Sequence, residues 1–355
     1  MNPGGGPPDR TRGVDPGGGP PDRTRGVDPA GRPAVGIGGR RGVDVTTLVA
    51  RAREGDPRSV ARLISLVEDG DPALPEVAAA LAPCAGQAQV VGLTGSPGVG
   101  KSTTTNELVR ALRQAGRRVG VLAVDPSSPF TGGAILGDRI RMQEHTTDRG
   151  VYIRSMSSRG RLGGLAAATP EAVRVLEGAG CDVVLVETVG VGQAEVEIAS
   201  LADTTVVLLA PGMGDAIQAV KAGVLEIADV FVINKADRPG ADATYRDIQG
   251  MLALGERGPG EWRPQVVRAT AVKGEGIDEV LAAIGKHRGW LEDSGNLRPR
   301  RERRAAVEIE AIALGTLRER MGDLHAGTAL GTLAAKVAGG ELDPYAAADE
   351  LLKGL

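Results

Sequence analysis

From about residue 89 to residue 292 the chain alternates between short apolar runs and longer amphipathic stretches. The apolar runs are Val90–Leu93, Val119–Val124, Val151–Arg154, Asp182–Val186, Thr204–Leu209, Val230–Ile233 and Val266–Ala269. They are rich in valine, and the sequence breaks between them. They read as strands buried on both faces. Lys101–Gln114, ended by Gly116, carries the helical spacing, as do Asp215–Ile227 and Asp278–Trp290. Strands alternating with helices predict an α/β fold, a doubly wound, mostly parallel sheet. Ligands then bind at the carboxyl ends of the strands, where Gly95, Asp125, Glu187 and Asn234 fall.

The pattern changes at both ends. Leu48, Val49 and Ala52, then Val60, Leu63, Ile64 and Val67, recur at helical spacing. Asp56-Pro57 and Asp71-Pro72 read as N-cap and first-turn signals for the second and third helices. Past Asn296 the strand rhythm stops. Arg298, Arg300, Arg301, Arg303 and Arg304 form a basic run that reads as a solvated helix start. Val307, Ile309, Ile312, Leu314 and Leu317 continue it as a long helix, and Asp343-Pro344 caps a last helix through Leu352. Pro3–Pro16 reads PGGGPPDRTRGVDP, and Pro16–Pro29 repeats it letter for letter. That segment lacks apolar side chains to bury, so it is expected to be disordered. It is either a tail or sequence upstream of the true start. The predicted organisation is a tail over 1–43, N-terminal helices over 44–88, an α/β domain over 89–292 and a helical packing or oligomer arm over 293–355.

Composition narrows the class. The 355 residues are 25% charged and 41% hydrophobic, ordinary for a globular chain. Aromatics are only 2%, so the core must be built from Val, Leu, Ile and Ala. A formal net charge of −3 argues against a general binder of nucleic acid or anionic membrane. Cys84 and Cys181 lie far apart and suggest no disulfide framework, as in a reducing cytoplasm. No apolar run is long enough to span a bilayer, and the N-terminus has no secretory h-region.

The chemistry is concentrated in Gly95-Ser96-Pro97-Gly98-Val99-Gly100-Lys101-Ser102-Thr103. Its first eight residues fit G-x-x-x-x-G-K-[ST], and they stand between a strand and a helix, the context this phosphate-cradling loop needs. The glycines let backbone N–H groups approach an anion, and the helix N-terminus adds its positive end. Lys101 would reach the β- and γ-phosphates, and the Ser102 hydroxyl would ligate Mg²⁺. Asn234-Lys235-Ala236-Asp237, at another strand end, fits N-K-x-D. The Asp237 carboxylate can accept from guanine N1–H and its 2-amino group. Adenine would leave it unpaired, which is how sites reject analogues strongly. Lys235 can lie along the base, and Asn234 can tie this loop to the phosphate loop. Thr270-Ala271, after the next strand, could offer a backbone N–H to guanine O6. Asp125, Asp138 and Glu187 are candidates to hold Mg²⁺ directly or through water. Glu187-Thr188-Val189-Gly190 stands where GTPases usually carry D-x-x-G, so the Gly190 N–H would sense the γ-phosphate. In Ras-type enzymes a Gln after that glycine orients water. Here Val191 follows, and Gln193 comes two residues later.

Together these residues resemble the MeaB/ArgK family, P-loop GTPases associated with methylmalonyl-CoA mutase. The matching words are GSPGVGKST, VDPSSPFTGGAILGDRIRM, VETVGVGQAE, PGMGDAIQAVKAGVLEIAD and NKAD. The resemblance spans Gly95–Asp237 and extends through flanking helices to about Asp44–Gly340. It implies Mg²⁺ handling by Ser102, Asp125, Asp138 and Glu187, with GTP or GDP as the ligand. It also implies a homodimer through the C-terminal arm, and a switch at Gly212–Lys221 that responds to an adenosylcobalamin-dependent acyl-CoA mutase. The implied role is to gate cofactor loading and protect that mutase. Val191 cannot position water, so slow intrinsic hydrolysis is expected, raised when the mutase docks and Lys221 moves toward the phosphates. Two other readings share parts of the pattern. A nickel-type metallochaperone GTPase would need thiol or imidazole ligands, and His145, His287 and His325 lack paired Cys/His spacing. A kinase linked to amino-acid transport would need a phosphoacceptor pocket that the sequence does not display.

Overall fold

The computed structural model describes residues 44–125, 143–145, 147–157, 168–188, 194–212, 225–255, 258, 260–320 and 328–352. The expected tail over 1–43 lies outside them. Seven strands form one parallel sheet: β1 Gln89–Thr94, β2 Val119–Asp125, β3 Val151–Ser157, β4 Val183–Thr188, β5 Thr204–Leu209, β6 Val230–Ile233 and β7 Gln265–Arg268. Each apolar run of the sequence is one of them, with β3 continuing past Arg154.

The spatial order is β3-β2-β4-β1-β5-β6-β7. The chain leaves the central β1 toward β2 and β3, returns as β4, then crosses to β5, β6 and β7. Strand order therefore reverses beside β1, and such a reversal opens a crevice at the carboxyl ends. Among the described residues the helices of eight residues or more in this region are α4 Lys101–Gln114, α5 Thr169–Gly178, α6 Ala194–Leu201, α7 Ala241–Leu254 and α8 Ile277–Asp293, preceded by α1 Val45–Arg53, α2 Pro57–Asp69 and α3 Leu74–Leu81.

Alternation along each strand divides the core between two faces. Val206 and Leu208 of β5 join Val91, Leu93, Val230 and Val232 under Leu108 and Val109 of α4 and Val280 and Ile284 of α8. The intervening Val207 and Leu209 join Phe231 under Ile248 of α7. Both faces being covered explains why the strands read as continuous apolar runs.

The N-terminal helices pack on one another and on α5. Asp56 caps α2, accepting from the Ser59 N–H at 3.2 Å. Asp71-Pro72 behaves differently from the sequence expectation. Asp71 accepts from the Ala73 N–H at 2.9 Å in a turn, and α3 starts later, with Pro75 in its first turn. Proline is tolerated anywhere in the first turn, so Pro72 did not have to mark the start.

Beyond β7 lie α9 Leu297–Arg320, α10 Thr328–Ala338 and α11 Pro344–Leu352. Asp343 caps α11 through the Tyr345 and Ala346 N–H groups. The basic run at the start of α9 is not simply solvated. Arg301 grips Asp203 through both carboxylate oxygens, at 3.1 and 2.7 Å, and also donates to the Ala88 carbonyl. Arg300 forms the same kind of fork with Asp229, and Arg304 donates to the Leu201 carbonyl. Asp203 is 1% exposed. Burial alone would raise its pKa, but Arg301, the Val90 N–H and Arg304 outweigh that and hold the carboxyl below its usual range. A buried carboxylate persists only when paired, and α9 supplies the pair. A cavity of about 670 Å³ lies between α5, α8 and α9, beside the amino-terminal ends of β1 and β5 and away from the crevice.

Candidate nucleotide-binding site

Between β1 and α4 the loop from Gly95 to Gly100 arches over the carboxyl edge of the sheet. Gly95 has φ +137° and packs so tightly that a Cβ would strike the Leu208 carbonyl oxygen of β5. Gly100, at φ +99°, presses against the Asn234 side chain and leads into α4. Only glycine satisfies both the dihedral and the spacing at these points. Lys101 is buried, and its ammonium donates to the Gly95 and Ser96 carbonyls at 2.8 and 3.2 Å. Ser96 is half-buried, Pro97 and Gly98 are exposed, and Val99 is buried beneath the loop. Thr103 points outward from α4 and is exposed.

Glu187, near the end of β4, is 4% exposed and lies against α4. Its Oε1 accepts from the Ser102 hydroxyl at 2.6 Å, and its Oε2 accepts from the Thr105 hydroxyl at 2.9 Å. Ser102 and Thr105 are three residues apart, so one face of α4 presents both hydroxyls. Hydroxyl and carboxylate oxygens are hard donors of the kind Mg²⁺ takes, so this pair fits the ion. Asp125 ends β2, two residues past the register partner of Glu187, which is Ala123. The side chain of Asp125 and the whole of Asp138, Gly190, Val191, Gln193 and Lys221 lie outside the described residues.

Asn234 joins three loops. It is 3% exposed; its Nδ2 donates to the Val99 carbonyl at 2.8 Å, and its Oδ1 accepts from the Ala271 N–H at 3.0 Å. Lys235 holds φ +57°, unusual for a residue with a side chain, and its Nζ donates to the Gly98 carbonyl at 2.6 Å. Asp237 is more exposed and pairs with Lys273 at 3.1 Å. The Lys273 hydrogen bond and charge hold its carboxyl below the usual range, so it stands ionised as an acceptor. Thr270 and Ala271 follow β7, and both are buried. The Thr270 N–H donates to the Glu275 carbonyl at 2.9 Å and the Ala271 N–H to Asn234. Both donors hold loops together.

Sequence reasoning missed Thr105 and Lys273. The three-residue step from Ser102 was the readable sign of the first; nothing in the sequence pairs Lys273 with Asp237. Among the described residues no group of three or more His, Cys, Asp or Glu is placed to hold a metal ion, and His325 lies outside those residues. His287 is buried, hydrogen-bonded to Thr204 at 2.9 Å and flanked by the Trp262 and Trp290 rings.

Comparison with known proteins follows the same lines. The family model described as methylmalonyl-CoA mutase-associated GTPase MeaB matches residues 60–325. A protein of Pyrococcus abyssi whose name gives it as a GTPase is 49% identical over 314 residues, covering 87% of this chain and 96% of its own. GTPase ArgK of Escherichia coli is 38% identical over 72% of this chain and 80% of its own. The methylmalonic aciduria type A homolog of Mus musculus, a mitochondrial protein, is 39% identical over 74% of this chain and 64% of its own. Among solved structures, a LAO/AO transport system kinase superposes with TM-score 0.65 at 30% identity, covering 87% of this chain and 96% of its own.

Proposed function

The chain belongs to the MeaB family of methylmalonyl-CoA mutase-associated GTPases, and from that premise we propose that it is a chaperone of an adenosylcobalamin-dependent acyl-CoA mutase. It is a P-loop GTPase. The finer reading is that GTP hydrolysis gates cofactor loading and protects the mutase. The family match over residues 60–325 carries it, with the similarity to the methylmalonic aciduria type A homolog beside it.

In this reading Gly95–Thr103 wraps the phosphates, and Lys101 exchanges its loop carbonyls for β- and γ-phosphate oxygens. Ser102 and Glu187, with Asp125 and Asp138, hold Mg²⁺. The ion, when bound, neutralises charge on the phosphates. Asp237 reads the guanine edge. Asn234 holds the phosphate loop and the Thr270–Ala271 turn in register around it, and Lys235 braces Gly98. Gly190 senses the γ-phosphate, and Lys221 acts when the mutase docks near Gly212–Lys221.

The arm over 293–355 is the dimer element of this proposal, beside a GTPase domain over 89–292 and a helical lead-in over 44–88. Exposed Val307, Ile309, Ile312, Leu314 and Leu317 on α9 support a homodimer, since so much exposed aliphatic surface on one helix marks an interface. The proposed compartment is the cytoplasm, and no helix among the described residues is long and apolar enough to cross a membrane.

Single-turnover GTP hydrolysis with and without the host's acyl-CoA mutases tests the proposal. A slow basal rate, stimulated by a mutase and blunted by Lys221→Ala, is the expected result. A fast basal rate, or no stimulation by any of them, refutes the chaperone role. The kinase reading, which the similarity to a transport-system kinase keeps in view, would then require γ-phosphate transfer to an acceptor other than water.

A further inference from the structure

Thr105 belongs to none of the motifs. Its side chain is fully buried, at 0% exposure. Its hydroxyl lies 2.9 Å from Glu187 Oε2 and 3.0 Å from the Lys101 carbonyl oxygen. A threonine hydroxyl has one proton to give. Within a helix it ordinarily goes to the carbonyl one turn back. Here a carboxyl oxygen of Glu187 lies equally near and can take the same proton. The other oxygen of the same carboxylate takes the Ser102 proton at 2.6 Å. One carboxylate is thus held at both ends by two hydroxyls from one face of α4.

The two hydroxyls have different duties. Ser102 is the phosphate-loop residue whose oxygen ligates Mg²⁺. Donating its proton to Glu187 leaves its lone pairs for the ion. That division of labour depends on Glu187 keeping its orientation, because the terminal torsion of a glutamate is soft. We propose that Thr105 is the positioning residue of the metal site: by holding Glu187 Oε2 it fixes the carboxylate plane, and through that plane the Ser102 hydroxyl. In this proposal Thr105 acts through Glu187 and not on the nucleotide or the ion itself. The inference rests on the reading above, in which Ser102 and Glu187 hold Mg²⁺.

Partners one step removed from a metal ligand typically change metal affinity or activity by 10–100-fold when removed. The test uses Mn²⁺ as the probe, titrated into the GDP complex of the full chain and read by electron paramagnetic resonance. Metal-free GDP affinity is measured separately in excess chelator. Thr105→Val keeps the buried volume and deletes the hydroxyl. It is expected to weaken Mn²⁺ binding by about 10–100-fold while leaving metal-free GDP affinity unchanged. Thr105→Ser restores a hydroxyl and should recover most of the loss. If Thr105→Val does not fold, Thr105→Ala removes the same donor and carries the same expectation.

Glu187→Gln separates the two levels. If it loses Mn²⁺ while Thr105→Val binds like wild type, the metal site stands and the role of Thr105 is refuted. If Glu187→Gln also binds like wild type, the metal site itself is refuted and the inference falls with it. A Thr105→Val protein that loses metal-free GDP affinity equally, without rescue by serine, marks a packing role and overturns the proposal.

Discussion

Asn234 offers a sharp test of how the site is held together. Its amide orientation is unambiguous, because the Val99 carbonyl can only accept and the Ala271 N–H can only donate. Both partners belong to residues that are 1% exposed. Asn234→Ala therefore removes two bonds and strands a buried carbonyl and a buried N–H. Each such orphan costs about 1–3 kcal/mol. A water entering the vacated space recovers part of that, so a total of about 2–4 kcal/mol is expected. For a chain of this size about 2 °C of Tm accompanies each kcal/mol, so Tm should fall by about 4–8 °C in the nucleotide-free protein. Because the amide also sets the phosphate loop against the base-reading loop, GDP affinity should fall by about tenfold or more, which is the effect of about 1.4 kcal/mol. Asn234→Asp makes the argument directional. It keeps an acceptor for the Ala271 N–H but sets an anionic oxygen where the amide now lies 2.8 Å from the Val99 carbonyl. It should be at least as damaging as alanine, although it changes one atom. Thermal unfolding and fluorescent-GDP titration of the three proteins check this. An aspartate variant as stable and as tight-binding as wild type would refute the bridging role, as would an alanine variant with unchanged Tm and affinity.

Other expectations follow from the same geometry. Lys101→Ala should abolish detectable GTP binding by calorimetry, since no other phosphate-loop side chain brings a charge to the β- and γ-phosphates. Wild type should bind GTP far more tightly than ATP, and Asp237→Asn should shift preference toward xanthosine triphosphate, whose 2-oxo group accepts from the new amide; parallel titrations decide it. Arg301→Met should cost about 3 kcal/mol in urea unfolding, because it leaves Asp203 buried with the Val90 N–H and, among the described cations, the more distant Arg288 and Arg304 at 3.6 and 3.8 Å. His287 should make stability depend on pH. Burial pushes its imidazole down to about 4, against about 6.5 in an unfolded chain. The unfolded chain takes the proton across that window, so this contribution is full above pH 6.5 and is lost as pH falls toward 4, by about 3 kcal/mol. Urea melts at the two ends measure the slope, and His287→Gln should flatten it.

Much of this protein was legible in its sequence, and the reason is local. Strands buried on both faces must be mostly apolar, so Val119–Val124 and Val206–Leu209 announce themselves without neighbours. The phosphate loop is equally local, because Gly95, Gly100, Lys101 and Ser102 act within one turn between a strand and a helix. Asp56 and Asp343 cap helices a residue or two away. What the sequence could not determine were pairings between residues far apart. Asp203 and Arg301 are separated by 98 positions, and Thr105 and Glu187 by 82. Nothing in the composition of an arginine run distinguishes a solvated helix start from a clamp on a buried carboxylate. Only the sheet, by burying Asp203 beneath the start of α9, turns Arg301 into its partner. The bond from the Ala271 N–H to the Asn234 side chain is likewise set by folding, across 37 positions. A hydrogen-bond donor has one proton to give, and the tertiary structure decides which acceptor receives it.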